Sequence, residues 1–234
     1  MGGLVSDTDH SSHNGGAGTV YEKAAAATNG DLTLDNDNPV GDAVLSRWAS
    51  PSSLTVKNLR VRDDAHLFID AGLTLTVEAN TGSISGGSAL NNPPSVRVKG
   101  TLNMPSEAMT ITSLNIHHTG TVGVLKYLTW DNGIYNVEAA SALFSAGRGQ
   151  RLETLTVSGT SGYAIVSASS TGVLYVDVLT VKSGGLVTHA SNTTTAAGTQ
   201  NRLIVTATTT VDVQSGGSIS AYGKGFEAGQ GTGA

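Results

Sequence analysis

The densest set of possible metal ligands lies in "DLTLDNDNPVGD", which contains Asp31, Asp35, Asp37 and Asp42. Calcium prefers oxygen ligands, and the Asp-x-Asp spacing places two carboxylates on one side of an extended segment. An EF-hand loop is not formed, because Pro39 stands where a ligand is needed and the closing Glu is missing. The stretch therefore indicates either a calcium site, with no other cofactor expected, or an Asx-rich turn between strands.

Three aromatic residues near the middle of the chain could stack against sugar rings. Tyr127, Trp130 and Tyr135 belong to residue types that are rare in this sequence, in which aromatics make up 5%. Aromatic rings bury a large area and offer an apolar face to a ligand. We expect either a polysaccharide-binding surface or rings that fill the interior of an irregular segment.

Catalytic chemistry has weaker support. His117 and His118 are adjacent, and neighbouring strand residues point to opposite faces, so the pair cannot ligate one metal without a bulge. Polysaccharide-cleaving enzymes need carboxylates gathered on one groove face. No carboxylate pair recurs beside basic residues at a fixed spacing, and "RVRDDAHLFID" is only a local charged group. We predict that the chain is not an enzyme.

The composition narrows the class of partner. The 234 residues include 30 glycines and no cysteine, 13% are charged, and the net charge is −5. Lys and Arg are few and scattered, so nucleic acid is not an expected partner. No apolar run approaches the roughly 20 residues of a spanning helix, so membrane insertion is not expected.

Where aliphatic and polar residues recur with a regular period, the period is almost always that of a β-strand. Segments such as "SLTVKNLRVR" and "RLIVTATTTVDVQSG" alternate aliphatic and polar residues between Gly, Asn, Asp and Ser. Only "EKAAAATNG" and "NVEAASALFSAG" contain helix formers, and each is short enough to form one turn or none. The sequence therefore predicts an all-β protein.

Recurring phrases indicate which all-β fold this is. Leu-Thr-Val begins at Leu54, Leu75, Leu155 and Leu179, with spacings of about 21 and about 24 residues, the size of one solenoid coil. "VKSGGLVTHA" and "VQSGGSISAY" share a Val-x-Ser-Gly-Gly pattern. Together these repeats favour a right-handed parallel β-helix with an irregular central insertion over the alternative, a β-sandwich.

Three regions follow from this interpretation. We assign 1–30 to a glycine-rich leader, 31–214 to a β-helical body that is irregular at about 125–149, and 215–234 to a glycine-rich outgoing joint. Natural solenoids close their terminal repeats with polar capping elements. Neither end of this sequence resembles such a cap.

Phrases toward the two ends of the sequence resemble those of a known class of repeat module. "GGAGTVYEKAAAATNGDLTLDND", "LTVKSGGLVTHASNTTT" and "TVDVQSGGSISAYGKGFEAGQGTGA" resemble glycine-rich β-helical repeat modules of large bacterial and archaeal extracellular surface proteins, which are adhesin-like. The resemblance covers roughly 15–37 and 179–234. It implies a β-helical architecture and an extracellular or cell-surface location, and it carries no functional residues across.

A structural role follows as the leading hypothesis. We expect a module of a longer surface or filament protein, or a self-assembling subunit that stacks end to end on copies of itself or on adjacent modules. The expected assembly contacts are Gly15, Gly16, Tyr21, Tyr222 and Phe226. The alternatives are a polysaccharide-binding adhesin or phage tail-fibre module and, second, a β-helical carbohydrate-active enzyme.

Overall fold

A computed structural model describes the following residues of the chain: 18–23, 25, 28–35, 44–47, 51–63, 65–78, 84–86, 94–105, 107–124, 126–138, 141–142, 145–146, 152–160, 164–169, 171–192 and 200–226. Within these ranges every regular element is a β-strand and there is no helix. The all-β prediction is therefore confirmed.

The strands are short except for two near the end of the chain. In chain order they are β1 Gly18–Glu22, β2 Asp31–Asp35, β3 Val44–Arg47, β4 Ser53–Val56, β5 Leu59–Arg62, β6 Ala65–Ile69, β7 Thr74–Val77, β8 Ile84–Gly86, β9 Ser95–Val98, β10 Thr101–Met104, β11 Ala108–Thr112, β12 Asn115–His118, β13 Thr121–Val124, β14 Tyr127–Asp131, β15 Gly133–Val137, β16 Ser141–Ala142, β17 Ser145–Ala146, β18 Leu152–Ser158, β19 Ala164–Ala168, β20 Thr171–Val181, β21 Gly185–Val187, β22 Arg202–Val213 and β23 Ser218–Ile219.

The described strands form three sheets. Sheet I has the order β1-β2-β5-β8-β11-β14-β18-β20-β16, with β22 also paired to β20. Sheet II has the order β23-β21-β19-β15-β12-β9-β6-β3, and sheet III the order β17-β13-β10-β7-β4. From β2 to β15 each successive strand enters the next sheet, in the rotation I, II, III, so that the chain returns to sheet I with every third strand.

The strands pair in parallel within each sheet, with the single exception of β1 among the described strands. The Leu-Thr-Val phrases lie in register: Leu54 pairs with Leu75, and Leu155 with Leu179. A β-sandwich is built from antiparallel sheets, which is not the pairing found here. The repeated tripeptide therefore marks equivalent positions in successive layers.

The core consists of aliphatic columns that run across the sheets. In sheet I, Leu128, Leu155 and Leu179 pair in succession, and all three are at most 1% exposed. In β2 the burial alternates: Leu32 and Leu34 point inward, and the other three residues of the strand are partly exposed. Burying such a side chain is worth roughly 1.5–3 kcal/mol, so the columns hold the layers together.

The two Ser-Gly-Gly phrases form the same corner in consecutive layers. Gly184 and Gly216 have φ values of 74° and 79°, in the left-handed region that favours glycine. A Cβ added at Gly185 would lie 2.5 Å from the Val157 carbonyl oxygen, and one at Gly217 would lie 2.4 Å from that of Val181. The first glycine turns the chain and the second lets it approach the layer below.

Two regular strands lie within the central segment. Strands β14 and β15 fall within the expected irregular segment at 125–149, yet each pairs in parallel on both sides. The remainder of that segment is described only at 126, 132, 138, 141–142 and 145–146.

The leader and the outgoing joint both contribute strands to the sheets. Strand β1 pairs with β2 in antiparallel register, with Tyr21 opposite Leu32. The Tyr21 hydroxyl accepts a 2.8 Å hydrogen bond from the backbone N–H of Gly30. The expectation that neither end is capped is not met at the beginning of sheet I, because β1 reverses the strand direction there and covers the first core residues.

Candidate functional site

The expected calcium ligands are engaged with other groups or lie outside the described residues. Asp31 accepts hydrogen bonds of 2.7 Å from the Asn58 side chain and 2.9 Å from Arg60. Burial raises the pKa of Asp31, but these two hydrogen bonds and the positive charge of Arg60 bring it below its usual value. Asp35 lies at the far end of the same strand, whereas Asp37 and Asp42 fall outside the described residues.

No other metal centre takes shape in the described parts of the chain, which contain no group of three His, Asp or Glu side chains placed to hold an ion. In the same ranges no helix is long and apolar enough to cross a membrane. Calcium binding at the 31–42 segment stays a prediction.

The three central aromatic residues do not share a surface. Trp130 and Tyr135 are 0% exposed and pack edge to face, with ring centroids 5.4 Å apart, while Tyr127 is 42% exposed on the outer face. The Trp130 indole N–H donates to the Gly133 carbonyl at 3.1 Å. Two of the three proposed sugar-stacking rings are therefore core residues that present no face to solvent.

His118 and Tyr135 form a buried polar pair that the sequence did not predict. His118 is 1% exposed; its Nδ1 lies 3.0 Å from the Gly120 carbonyl oxygen and its Nε2 lies 2.8 Å from the Tyr135 hydroxyl. A carbonyl can only accept, so Nδ1 carries the proton and Nε2 accepts from Tyr135. Burial lowers the pKa of His118, and burial also raises the pKa of Tyr135 well above its usual value. Both groups are neutral at pH 7.

The outer face of sheet II carries a small charged cluster. His117 Nδ1 lies 3.5 Å from a carboxylate oxygen of Glu138, and Arg97 lies 3.9 Å from the other oxygen. Burial lowers the pKa of His117, and the charge of Glu138 opposes that shift. His117 pairs in register with Arg97 of β9, so the cluster links neighbouring strands. Parallel register, which single-strand patterns do not reveal, brings these residues together.

The most distinctive surface is the terminal layer, which we define as β22 (Arg202–Val213) together with β23 (Ser218–Ile219). Within the described chain, β22 pairs only with β20 and β23 only with β21. The inward columns of sheet I end here on Val211 and Val213, which pair with Leu179 and Val181 and are 47% and 46% exposed. Nothing in the described residues covers these core positions.

Sheet II ends in the same way. Ile219 pairs with Val187 of β21 and is 44% exposed, although Val187 is fully buried. At the opposite end of sheet I, Leu32 and Leu34 are 6% and 1% exposed because β1 lies over them. The two ends of sheet I thus differ, one covered by β1 and the other open.

The residues expected to make assembly contacts are divided between these ends. Tyr21 packs partly buried against the core beneath β1, whereas Tyr222 follows the terminal layer and is 94% exposed. Phe226 is half-buried at the end of the described chain, and Gly15 and Gly16 lie outside the described residues.

Comparisons with protein-family models, with curated proteins and with solved structures found no significant match to this chain.

Proposed function

We propose that the chain is a structural module of an extracellular surface or filament protein, and that its three sheets are the sides of a right-handed parallel β-helix. The rotation of successive strands through sheets I, II and III supports this architecture. Parallel strands of one sheet need crossover connections, which are right-handed in nearly all proteins. Short strands, glycine corners and in-register aliphatic columns suit such a solenoid.

The observation that carries the proposed role is the open terminal layer. Val211, Val213 and Ile219 occupy inward positions of the core, yet each is more than two-fifths exposed. Edge strands that are neither paired nor blocked by charge favour pairing with another chain. Of the residues in β22, only Arg202 and Asp212 are charged. The function we propose is therefore end-to-end association through this layer.

The extracellular setting rests on composition. Only 13% of the residues are charged, cysteine is absent, and threonine is the most frequent residue at the exposed positions of β22. The resemblance of the glycine-rich phrases at the two ends of the chain to surface-protein modules supports the same setting. It supports a scaffold or spacer role rather than a catalytic one.

Association through the terminal layer is tested by analytical ultracentrifugation of the full chain over a wide concentration range. We expect the average mass to rise with concentration. Val211→Glu places a charge at the end of an open core column, and this variant should remain monomeric where the wild type associates. Its matched control is Val20→Glu, an exposed valine of similar accessibility (39%) on β1 at the covered end.

The control variant should associate like the wild type. A wild-type chain that stays monomeric at every concentration would contradict the proposal, and so would equal loss of association in both variants. Circular dichroism at matched concentration verifies that both variants keep the β-rich fold.

A further inference from the structure

We propose that the terminal layer pairs tail to tail with a second copy of this chain, β22 lying antiparallel to the partner's β22 about a two-fold axis at Ala207. This inference rests on the proposed function and specifies its partner and geometry. Two-fold interfaces use the same patch on both subunits, so the patch must complement itself. The sequence of β22 meets that requirement in three respects.

The first is length. Strand β22 spans 12 residues, whereas β1, the strand at the opposite end of sheet I, spans 5. A head-to-tail stack would use at most the shorter strand. Tail-to-tail pairing uses nearly the whole of β22 on both sides, and so satisfies more of its edge N–H and C=O groups.

The second is the alternation of side chains. In β22 the odd-numbered positions Leu203, Val205 and Ala207 point inward and are half-buried, and Val211 and Val213 continue the core columns. Residues directly opposite each other in an antiparallel pair share one face of the sheet. With Ala207 on the axis, Leu203 faces the partner's Val211 and the two Ala207 residues face each other, whereas Val205 faces the partner's exposed Thr209.

The third is charge. The same register places Arg202 opposite the partner's Asp212, and by symmetry the partner's Arg202 opposite Asp212. These are the two charged residues of β22, and both are exposed. Opposite charges in directly opposed cross-strand positions are stabilising, and like charges there are destabilising. Asp212 also accepts a 2.8 Å hydrogen bond from the Gln214 side chain, which holds its carboxylate near the strand.

The pairing of β22 with β20 shifts register between Val176 and Val178, so that Thr208 and Thr209 both lie opposite Asp177. Such bulges bend a strand. This bend lies just beyond the axis at Ala207, so the paired strands contain one bend on each side of the axis. Pairing of this kind closes on itself, so the terminal layer joins two copies and no more.

Charge reversal tests the geometry. Arg202→Asp alone should weaken dimerisation about 10- to 100-fold, because two attractive pairs become two repulsive ones. Asp212→Arg alone should do the same. The double variant Arg202→Asp/Asp212→Arg restores both pairs and should recover the wild-type dissociation constant, measured by sedimentation velocity in low salt.

A mixing experiment makes the test stricter. When the two single variants are combined in equal amounts, each mixed pair contains two complementary contacts, so a heterodimer should form where neither variant self-associates. Labelling the variants with different fluorophores and measuring energy transfer reports this heterodimer directly. Arg62→Asp, a charge reversal at an exposed residue of β5 that does not pair with β22, serves as a control that should leave the wild-type constant unchanged.

The outcomes separate this inference from the proposed function. If Val211→Glu abolishes association while the charge variants neither weaken nor rescue it, the chain associates through its terminal layer, but the antiparallel pairing is wrong. If the wild type is monomeric throughout, both proposals fail. Rescue by the double variant and by mixing supports the tail-to-tail dimer.

Discussion

Replacing Tyr135 with phenylalanine tests the buried contact between Tyr135 and His118. The substitution keeps the ring, which is 0% exposed, and removes only the hydroxyl that lies 2.8 Å from His118 Nε2. One hydrogen bond is lost and a buried acceptor is left without its donor. An unsatisfied buried polar group costs about 1–3 kcal/mol, so the unfolding free energy should fall by that amount.

Urea unfolding followed by tryptophan fluorescence is a suitable assay, because Trp130 packs against Tyr135 with ring centroids 5.4 Å apart. Tyr127→Phe is the matched control: it removes the hydroxyl of an exposed ring, whose hydrogen bond to Glu153 is open to solvent, so the midpoint should move much less than in Tyr135→Phe. If both variants unfold at the wild-type midpoint, the buried hydrogen bond does not contribute as reasoned here.

The same contact should make stability depend on pH. Burial lowers the pKa of His118, partly offset by the Gly120 carbonyl and the charge of Glu138. As pH falls through about 6.5 the unfolded chain takes up a proton that the folded chain still excludes. This contribution to stability is therefore complete above about pH 6.5 and is lost on acidification below it.

Three further outcomes follow from the structure. His118→Gln should reduce the loss of stability between pH 7 and 5, measured by urea midpoints; an unchanged slope would refute the assignment. Gly185→Ala should lower the thermal midpoint because its Cβ would meet the Val157 carbonyl at 2.5 Å, whereas Gly225→Ala, with open space around it, should not. Trp130→Ala should destabilise the fold by about 3–5 kcal/mol, as truncation of a buried aromatic does, rather than leave a folded chain that has lost only a surface ligand site.

The repeated phrases predicted more of the fold than of any site. Leu-Thr-Val and Ser-Gly-Gly recur because equivalent positions in stacked layers face the same constraint, and Leu155 indeed pairs with Leu179. The left-handed φ of Gly184 and of Gly216 shows why the first glycine of each phrase is needed. Repeated tripeptides and glycine turns can be recognised in the sequence without knowing which strands pair.

The candidate site was harder to predict, because it depends on which face each side chain occupies. Tyr127 and Trp130 are three positions apart on β14 and so lie on opposite faces, but this follows only once the segment is known to be a regular strand. No pattern in the sequence of β1 indicates its antiparallel direction, because that direction is set by pairing with β2. The pairing of His118 with Tyr135 likewise requires the register between β12 and β15.

The antiparallel strand β1 gives the molecule an intrinsic direction for local opening. In the proposed β-helix each layer contacts only its neighbours, so the free energy needed to expose a backbone amide should rise with distance from the less protected end. Amides of β22 should exchange with solvent deuterium first, followed by β20 and then β18, while those of β2 remain protected beneath β1. Unfolding would therefore proceed from the open end toward the covered one, and a partner bound at β22 would slow exchange along the whole series.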